Sequence, residues 1–577
     1  MSTCSQKQYW KVLRHFVKTK NCSEVIPPLK SVNPDGTEMF HFSDYDKANC
    51  LNDYFASISH IDERQASVPN LPNYTTANLS NIVLQESEIR DVIKILDTNK
   101  AVGEDLISHK VLKNVCQTIC LPLCLLFNKS LSVCVFPKIW KSAIVMPLFK
   151  KGNTNLCSNY RPISLLSCVG KLMERVVYKH MYNHLINNNL IYEKQSGFLK
   201  GHSTVFQLLD IYHQIAQSLD TKCYTCIVFC DISKAFDRVW HKGLLCKLEK
   251  NGINGNLLKW IESYLVNRTQ KVFVGSSVSQ SQQVKAGVPQ GSVLGPLFFL
   301  VYVNDIIENL LCITRLFADD TSLACTTSSI PDLEGIINHD LALINDWSKK
   351  WLVDFNPNKT EALFFSLKPN VIKPNLVFDH ITVNQVNHHK HLGLTFSSNG
   401  KWHDHIQNIT KSASKLVGLM RKLKYTLNRQ SLNQIYISFV RPILEYASIV
   451  WDGCTKLEQE TLEKVQNEAA RVVTGLTLSV SLQNLYREVN WLSLAERRKY
   501  QKLLCMFRVN KDNVPNYIFL LILQYMKSIN TYIIYIQNYY TCYRKFAIFF
   551  FMFYHTSMII YVTNYRQNKN KFIITLR

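Results

Sequence analysis

The chain has 577 residues, 47% of them apolar, enough to bury several cores and to fill roughly three or four units of ordinary domain size. Lys and Arg number 66 against 43 Asp and Glu, a formal net charge of +23, which excludes an acidic buffer or acidic disordered activator and favours a polyanionic partner. Only 19% of residues are charged, so this is a folded basic protein and not a basic tail.

The N-terminus, MSTCSQKQYWKVLRHF, contains no apolar run of the signal-peptide kind, and secretion is not expected. The 18 cysteines are spread over the whole length, many inside apolar runs such as Cys116 to Cys124. That distribution reads as reduced core thiols and not as a disulfide scaffold. Cys223 and Cys226 form a CxxC, but no second pair completes four zinc ligands. Residues 1–85 are polar and mixed, with a turn signal at Asn33-Pro34-Asp35-Gly36. From Gln85 the spacing of Ile89, Val92, Ile93, Ile95 and Leu96 predicts a helix with one apolar face.

A mixed stretch follows to Gly201, interrupted by Pro122, Pro137, Pro147 and Pro162. Residues 203–400 alternate short apolar strands with amphipathic helices, which predicts an α+β core. From Trp402 to Asn510 the pattern is almost entirely helical, with runs at His405–Leu427, Ser431–Val450 and Leu457–Thr474. The last stretch, from Asn513, has no Asp, Glu or Gly, and 17 of its 65 residues are Tyr or Phe. Its apolar run Phe546–Val562 approaches the length of a membrane span but is broken by His555, Thr556 and Ser557. The composition is that of translated AT-rich noncoding sequence, so residues 512–577 are expected not to belong to the folded protein, with a tail anchor as the alternative.

Acids appear in two places where a core strand should be apolar. One is Thr225 through Asp231, a buried-looking strand that ends in a carboxylate and is followed by Ile-Ser-Lys-Ala-Phe236-Asp237. The other is Ile313 through Ala324, which reads as strand, turn, strand, with Asp319 and Asp320 as the turn. Asp-Asp is a poor two-residue hairpin turn, and adjacent like charges repel unless a cation lies between them. A pair of carboxylates at a hairpin tip with a third on a neighbouring strand is a ligand set for two Mg²⁺ ions about 4 Å apart, the arrangement used for in-line phosphoryl displacement. A solvated acidic turn is the plain alternative for Asp319 and Asp320 taken alone.

Seven blocks in order decide between them. They are Asn159 to Leu166 (Asn-Tyr-Arg-Pro-Ile-Ser-Leu-Leu), Gln195-Ser196-Gly197-Phe198 with Gly201-His202-Ser203-Thr204, Asp231 to Asp237, Ala286 to Pro296 (Ala-Gly-Val-Pro-Gln-Gly-Ser-Val-Leu-Gly-Pro), Phe317-Ala318-Asp319-Asp320, Trp347 to Lys359, and His391-Leu392-Gly393-Leu394. With them the chain resembles the reverse transcriptases of non-LTR (LINE-type) retrotransposons, most closely the jockey-like group, over about residues 86–510. The resemblance implies a right-hand polymerase: linker 1–85, fingers 86–200, a palm with an antiparallel sheet at 201–400, and an all-helical thumb at 401–511. It implies that Asp231 and Asp319, supported by Asp320, hold two Mg²⁺ ions. Lys150 and Arg161 would bind triphosphate oxygens, and Lys359 would be a general acid for the leaving pyrophosphate. Phe236 would exclude a 2′-hydroxyl, Gly287, Gly291 and Gly295 would admit backbone close to the nucleotide, and Gln290 would hydrogen-bond the substrate. Asp237 is read as structural. The implied partners are an RNA template, a DNA primer or target, and dNTPs, in nucleus and cytoplasm; the sequence leaves oligomeric state open.

The chain departs from the family in having too few residues before the fingers for an endonuclease, so a truncated copy is expected. A remnant that only binds nucleic acid, a membrane-tethered protein and a viral RNA replicase are the other classes; an aromatic at Phe236 opposes the last. Lys411, Lys415, Arg421, Lys422 and Lys424 on one helix are expected to meet backbone phosphates. The histidines at 388, 389, 391, 403 and 405 read as an ordinary loop and strand and not as zinc ligands.

Overall fold

The computed structural model describes residues 26–32, 37–64, 66–368, 371–511 and 514–521. The turn signal at 33–36 and the apolar run at 546–562 lie outside the described residues. Two compact units are present, one drawn from residues up to 199 with 218–389, the other from 200–217 with residues from 390 onward.

In the first unit, β1 (Leu29–Val32) and β2 (Glu38–His41) form an antiparallel pair. Helix α1 (Asp44–Ile58) follows, capped by the Ser43 hydroxyl, which accepts from the Asp46 amide. Helix α2 (Glu86–Ile95) starts at the predicted place because Gln85 and Glu88 form a capping box. It buries Ile89 and Ile93, and Leu96 just beyond it, whereas Ile95 is exposed. Ile95 is two positions from Ile93, about 200° round the helix, and belongs to the opposite face.

The four prolines act differently from one another. Pro122 lies inside helix α3 (Cys116–Ser132) and Pro137 precedes a 3-10 turn. Pro147 and Pro162 face each other across strands β3 (Ser142–Phe149) and β4 (Tyr160–Leu165). That hairpin is followed by the buried helix α4 (Cys168–Asn187); α5 (Thr204–Asp220), next in the chain, belongs to the second unit except for its last three residues.

Strand β5 (Tyr224–Asp231) is buried along its whole length until Asp231. Strands β6 (Arg268–Val274), β7 (Ser277–Val278) and β8 (Gln282–Val284) join the β3–β4 hairpin in a five-stranded sheet, with β6 parallel to β3. After the fully apolar helix α6 (Leu294–Val303) come β9 (Ile313–Phe317), β10 (Asp320–Thr327), helix α7 (Ile330–Trp351), β11 (Glu361–Phe365) and β12 (Asn384–Gln385). These complete a second five-stranded sheet of order β12-β11-β5-β10-β9. It is antiparallel as expected except at its edge, where β12 runs parallel to β11.

Alternation fixes the faces of this sheet. Cys226, Val228, Cys230, Leu323 and Cys325 pack on one side with Leu333, Ile337, Leu341 and Ile344 of α7. Asp231 is one residue out of phase with them and belongs to the other side.

The second unit is helical: α8 (His403–Leu423), α9 (Lys456–Thr474), α10 (Leu482–Val489) and α11 (Leu494–Asn510), with α8 packed on α9. The predicted helix over Ser431–Val450 is broken. Its chain widens into a π turn at Tyr436–Val440 and passes through a left-handed Ala447 (φ 52°). Pro442 explains the widening, since it lacks an amide and crowds the carbonyl four residues back. Among the described residues no helix is long and apolar enough to cross a membrane.

Candidate active site

The apex of the β9–β10 hairpin carries the acids. Asp320 pairs with Phe317 on one side and with Asp231 on the other, so the two-residue turn is Ala318-Asp319 and not Asp319-Asp320 as the sequence suggested. Ala318 takes the left-handed conformation (φ 56°), the backbone a tight hairpin requires. This one-residue shift puts Asp320 in the ladder directly opposite Asp231, where paired Cα atoms are about 4.5–5.5 Å apart.

The register therefore brings three carboxylates to the ends of two adjacent central strands. They do not close into a three-ligand cluster, and among the described residues no three acidic, His or Cys side chains do. Like-charge repulsion accounts for the open arrangement. Although Asp319 and Asp320 reach solvent, the protein packed around them raises both carboxyls, and the neighbouring acids raise them further. Asp320 is pushed up to about 6, by desolvation first and then by Asp319 and Asp231. Asp319 is raised by desolvation first and by Asp231, with Arg161 and Lys150 opposing. Hard oxygen donors that resist ionising together suit a bound divalent cation.

Three cations surround the acids. Lys359, at the end of a 3-10 turn (Pro357–Lys359), places Nζ 3.4 Å from Asp231 Oδ2. Lys150 continues the β3–β4 hairpin, its amide donating to Asn159 O at 2.8 Å, and Arg161 stands on β4 opposite Leu148. Desolvation lowers the Lys150 ammonium, as does repulsion from Arg161, while Asp231 pulls the other way. The positions singled out on separate motifs, Lys150, Arg161, Asp231, Asp319, Asp320 and Lys359, thus share one electrostatic neighbourhood.

Sequence reasoning assigned no role to two residues that shape the apex. Gln195, fully buried, accepts through Oε1 from the amides of Ala318 (3.1 Å) and Gly197 (2.8 Å). Ser196 N donates to Leu316 O at 2.8 Å, and Leu316 N to Lys194 O at 3.2 Å, so the Gln195-Ser196-Gly197 segment lies along β9. A Cβ on Gly197 would overlap the Ala318 amide, which is why this position takes glycine. The only sequence signal was the Gln-Ser-Gly-Phe block itself.

Phe236 stacks on Phe299 (ring centroids 4.9 Å, 25°) and meets Phe198 edge-on at 6.0 Å. Its carbonyl accepts from Val288 N at 2.8 Å, and Val239 O accepts from Gly287 N at 2.9 Å. Gly287 and Gly291 have φ values of 82° and 129°; a Cβ on Gly291 would stand 2.5 Å from Ser164 O. Gln290 O accepts from Ser164 N, and its side-chain amide donates to both Asp237 oxygens at 2.8 Å. This loop is held at its far end by Glu174, a wholly buried acid that accepts from the amides of Val293 (2.6 Å) and Leu294 (3.1 Å). Burial raises its carboxyl.

The remaining candidates stay apart from the apex. Cys226 is buried in β5 and Cys223 half-buried before it, both as free thiols. His389 stacks on Phe229 at 3.9 Å and contacts Glu361 at 2.7 Å. In the helical unit Lys411, Lys415, Arg421, Lys422 and Lys424 are all exposed, with Arg421 paired to Glu468 and Lys424 over the Tyr425 ring.

A helix-backed sheet of this order, with acids at the ends of its two central strands, defines the palm of a right-hand polymerase. Residues 149–396 match the family model for reverse transcriptase (RNA-dependent DNA polymerase). The chain is 29% identical over 474 residues to the probable RNA-directed DNA polymerase from transposon BS of Drosophila melanogaster, covering 78% of this chain and 52% of that protein. It is 30% identical over 513 residues to the RNA-directed DNA polymerase from mobile element jockey of the same species, covering 85% and 54%. The telomerase structure from Candida albicans aligns with a TM-score of 0.33 at 14% identity, over 64% of this chain and 68% of that one. This chain carries a reverse transcriptase domain and over most of its length is similar to the RNA-directed DNA polymerases of jockey-like non-LTR retrotransposons. It spans about half the length of the curated relatives it matches.

Proposed function

We propose that the chain is an RNA-directed DNA polymerase that extends a DNA primer on an RNA template using dNTPs. The observation that carries this reading is the register that sets Asp320 opposite Asp231 beneath Lys150 and Arg161, inside a matched reverse transcriptase domain. Asp231, Asp319 and Asp320 would hold two Mg²⁺ ions, which when bound supply charge stabilisation to the attacking and leaving oxygens of the displacement. The three acids fit that group because they offer hard oxygens and because their own repulsion is relieved by it.

The other side chains bind and orient. Lys150 meets triphosphate oxygens as a point charge and Arg161 as a planar fork. Lys359 holds a proton at Nζ within reach of the acids, available to the leaving pyrophosphate. The Phe236 ring, fixed by Phe299, fills the space a 2′-hydroxyl would need. Residues 86–200, 201–400 and 401–511 serve as fingers, palm and thumb, and the exposed lysines of α8 grip backbone phosphates. The 1–85 segment is a linker, and the protein works in nucleus and cytoplasm.

The test is extension of a labelled DNA primer on an RNA template by the full chain. Extension with dNTPs and Mg²⁺, lost with EDTA and at least about tenfold weaker with NTPs, is expected. Equal use of NTPs would overturn the role of Phe236. Failure to extend, where a jockey-type polymerase extends the same substrate, would overturn the reading itself.

A further inference from the structure

Asp237 is a half-buried acid outside the carboxylate apex. It follows Phe236 directly, and its amide donates to Lys234 O at 3.0 Å. Both of its carboxylate oxygens accept from one group, Nε2 of Gln290, at 2.8 Å each. A carboxylate has no hydrogen to donate, so this contact admits only one orientation of the Gln290 amide, nitrogen inward. Burial raises the Asp237 carboxyl to about 6, against the Gln290 hydrogen bond and Lys234. The group is still mostly ionised at pH 7 and purely an acceptor.

Packing does not impose that orientation. Asp237 and Gln290 line a small cavity of about 30 Å³ together with Ser164, Arg268 and Pro289, so the amide has room to turn over. The backbone around it is pinned instead: Gln290 O to Ser164 N, Val288 N to Phe236 O, and Gly287 N to Val239 O. With the loop fixed, the hydrogen bonds that Gln290 Nε2 donates to Asp237 select the orientation of the amide. Among the described residues Gln290 Oε1 takes no hydrogen bond, and it is left as a lone acceptor.

We propose that Asp237 is a positioning residue for nucleotide recognition: it turns the Gln290 amide so that Oε1 faces the nucleotide pocket as an acceptor for a sugar hydroxyl. This rests on the polymerase reading and deepens it by placing the acceptor under the control of Asp237. An amide turned the other way would set Oε1 against the Asp237 carboxylate and lose both of these hydrogen bonds.

A polarity swap tests it on the full chain by steady-state primer extension, reading KM for dNTP against kcat. Gln290→Glu sets two carboxylates against each other and should raise KM by roughly tenfold or more, with a smaller change in kcat. In the double variant Asp237→Asn with Gln290→Glu, the new Asn amide donates to one Glu oxygen and leaves the other facing the pocket. KM should then return to within about threefold of wild type. Gln290→Asn, which is one methylene too short to span the contact and adds no charge, should raise KM like Gln290→Glu; it serves as the second variant if the buried charge impairs folding. A double variant no better than Gln290→Glu, or a Gln290→Asn with wild-type KM, would overturn the proposal. A wild-type chain that extends nothing overturns the polymerase reading as well, and is distinguished by the inactive wild type.

Discussion

The acidic and the basic halves of the site are built on opposite plans. Asp231 and Asp320 are locked in a strand ladder, and Asp319 is carried on a turn that Gln195 holds from behind. Lys150, Arg161 and Lys359 are long, exposed side chains at a hairpin end, on a strand and on a short turn. The difference follows from the sign of the forces. Like charges drift apart unless the backbone holds them, whereas cations near an acidic cluster are drawn in and need only be within reach. Backbone-fixed acids and exposed cations are therefore the expected division of labour in a site that must admit and release a polyanion.

Substitutions at the apex should have the largest effect. Asp231→Asn keeps shape and removes charge, and should lower kcat by about 10³-fold or more. In EDTA the same change relieves repulsion and should raise the melting temperature by a few degrees. Added Mg²⁺ should stabilise wild type and not the variant, because only a protein that binds the ion gains from it. A variant that responds to Mg²⁺ as wild type does would place the ion elsewhere.

The next largest effect lies behind the apex. Gln195→Leu leaves the buried Ala318 amide without its acceptor, a loss of about 1–3 kcal/mol. It should reduce kcat by roughly 10- to 100-fold while KM for dNTP changes little, because the fault lies in the acids' placement. A change confined to KM would show that Gln195 serves the nucleotide and not the hairpin.

The exposed basic half should respond more gently. Arg161→Lys keeps the charge and loses the fork, and should raise KM for dNTP by roughly tenfold with kcat nearly preserved. Smallest of all, Lys411→Ala or Lys415→Ala on α8 should leave kcat unchanged. Each should shift the slope of log affinity for primer–template against log salt by about one unit. An unchanged slope would remove that helix face from the grip.

What could be read in advance follows the same division. The three acids were legible because each breaks an apolar strand pattern, and the order of the motifs supplied the fold class. The position of the turn was not, because alanine has no preference for the left-handed conformation that Ala318 adopts. Its cause is Gln195, more than a hundred residues earlier, which no local pattern reports. The Gln290–Asp237 bond spans 53 residues and was equally out of reach; reading Asp237 as structural and Gln290 as substrate-facing concealed that the two touch. Ile95 and Pro442 were within reach of local rules, since helical phase and the missing amide predict both departures.

Asp319, the turn residue between Ala318 and Asp320, carries the central claim. The deciding measurement is primer extension by full-length wild type and Asp319→Ala on one RNA template, with binding of the primer–template measured for both. The account predicts extension by wild type, extension reduced by at least about 10³-fold in the variant, and binding unchanged within about twofold. Extension by Asp319→Ala at a rate near that of wild type would contradict it.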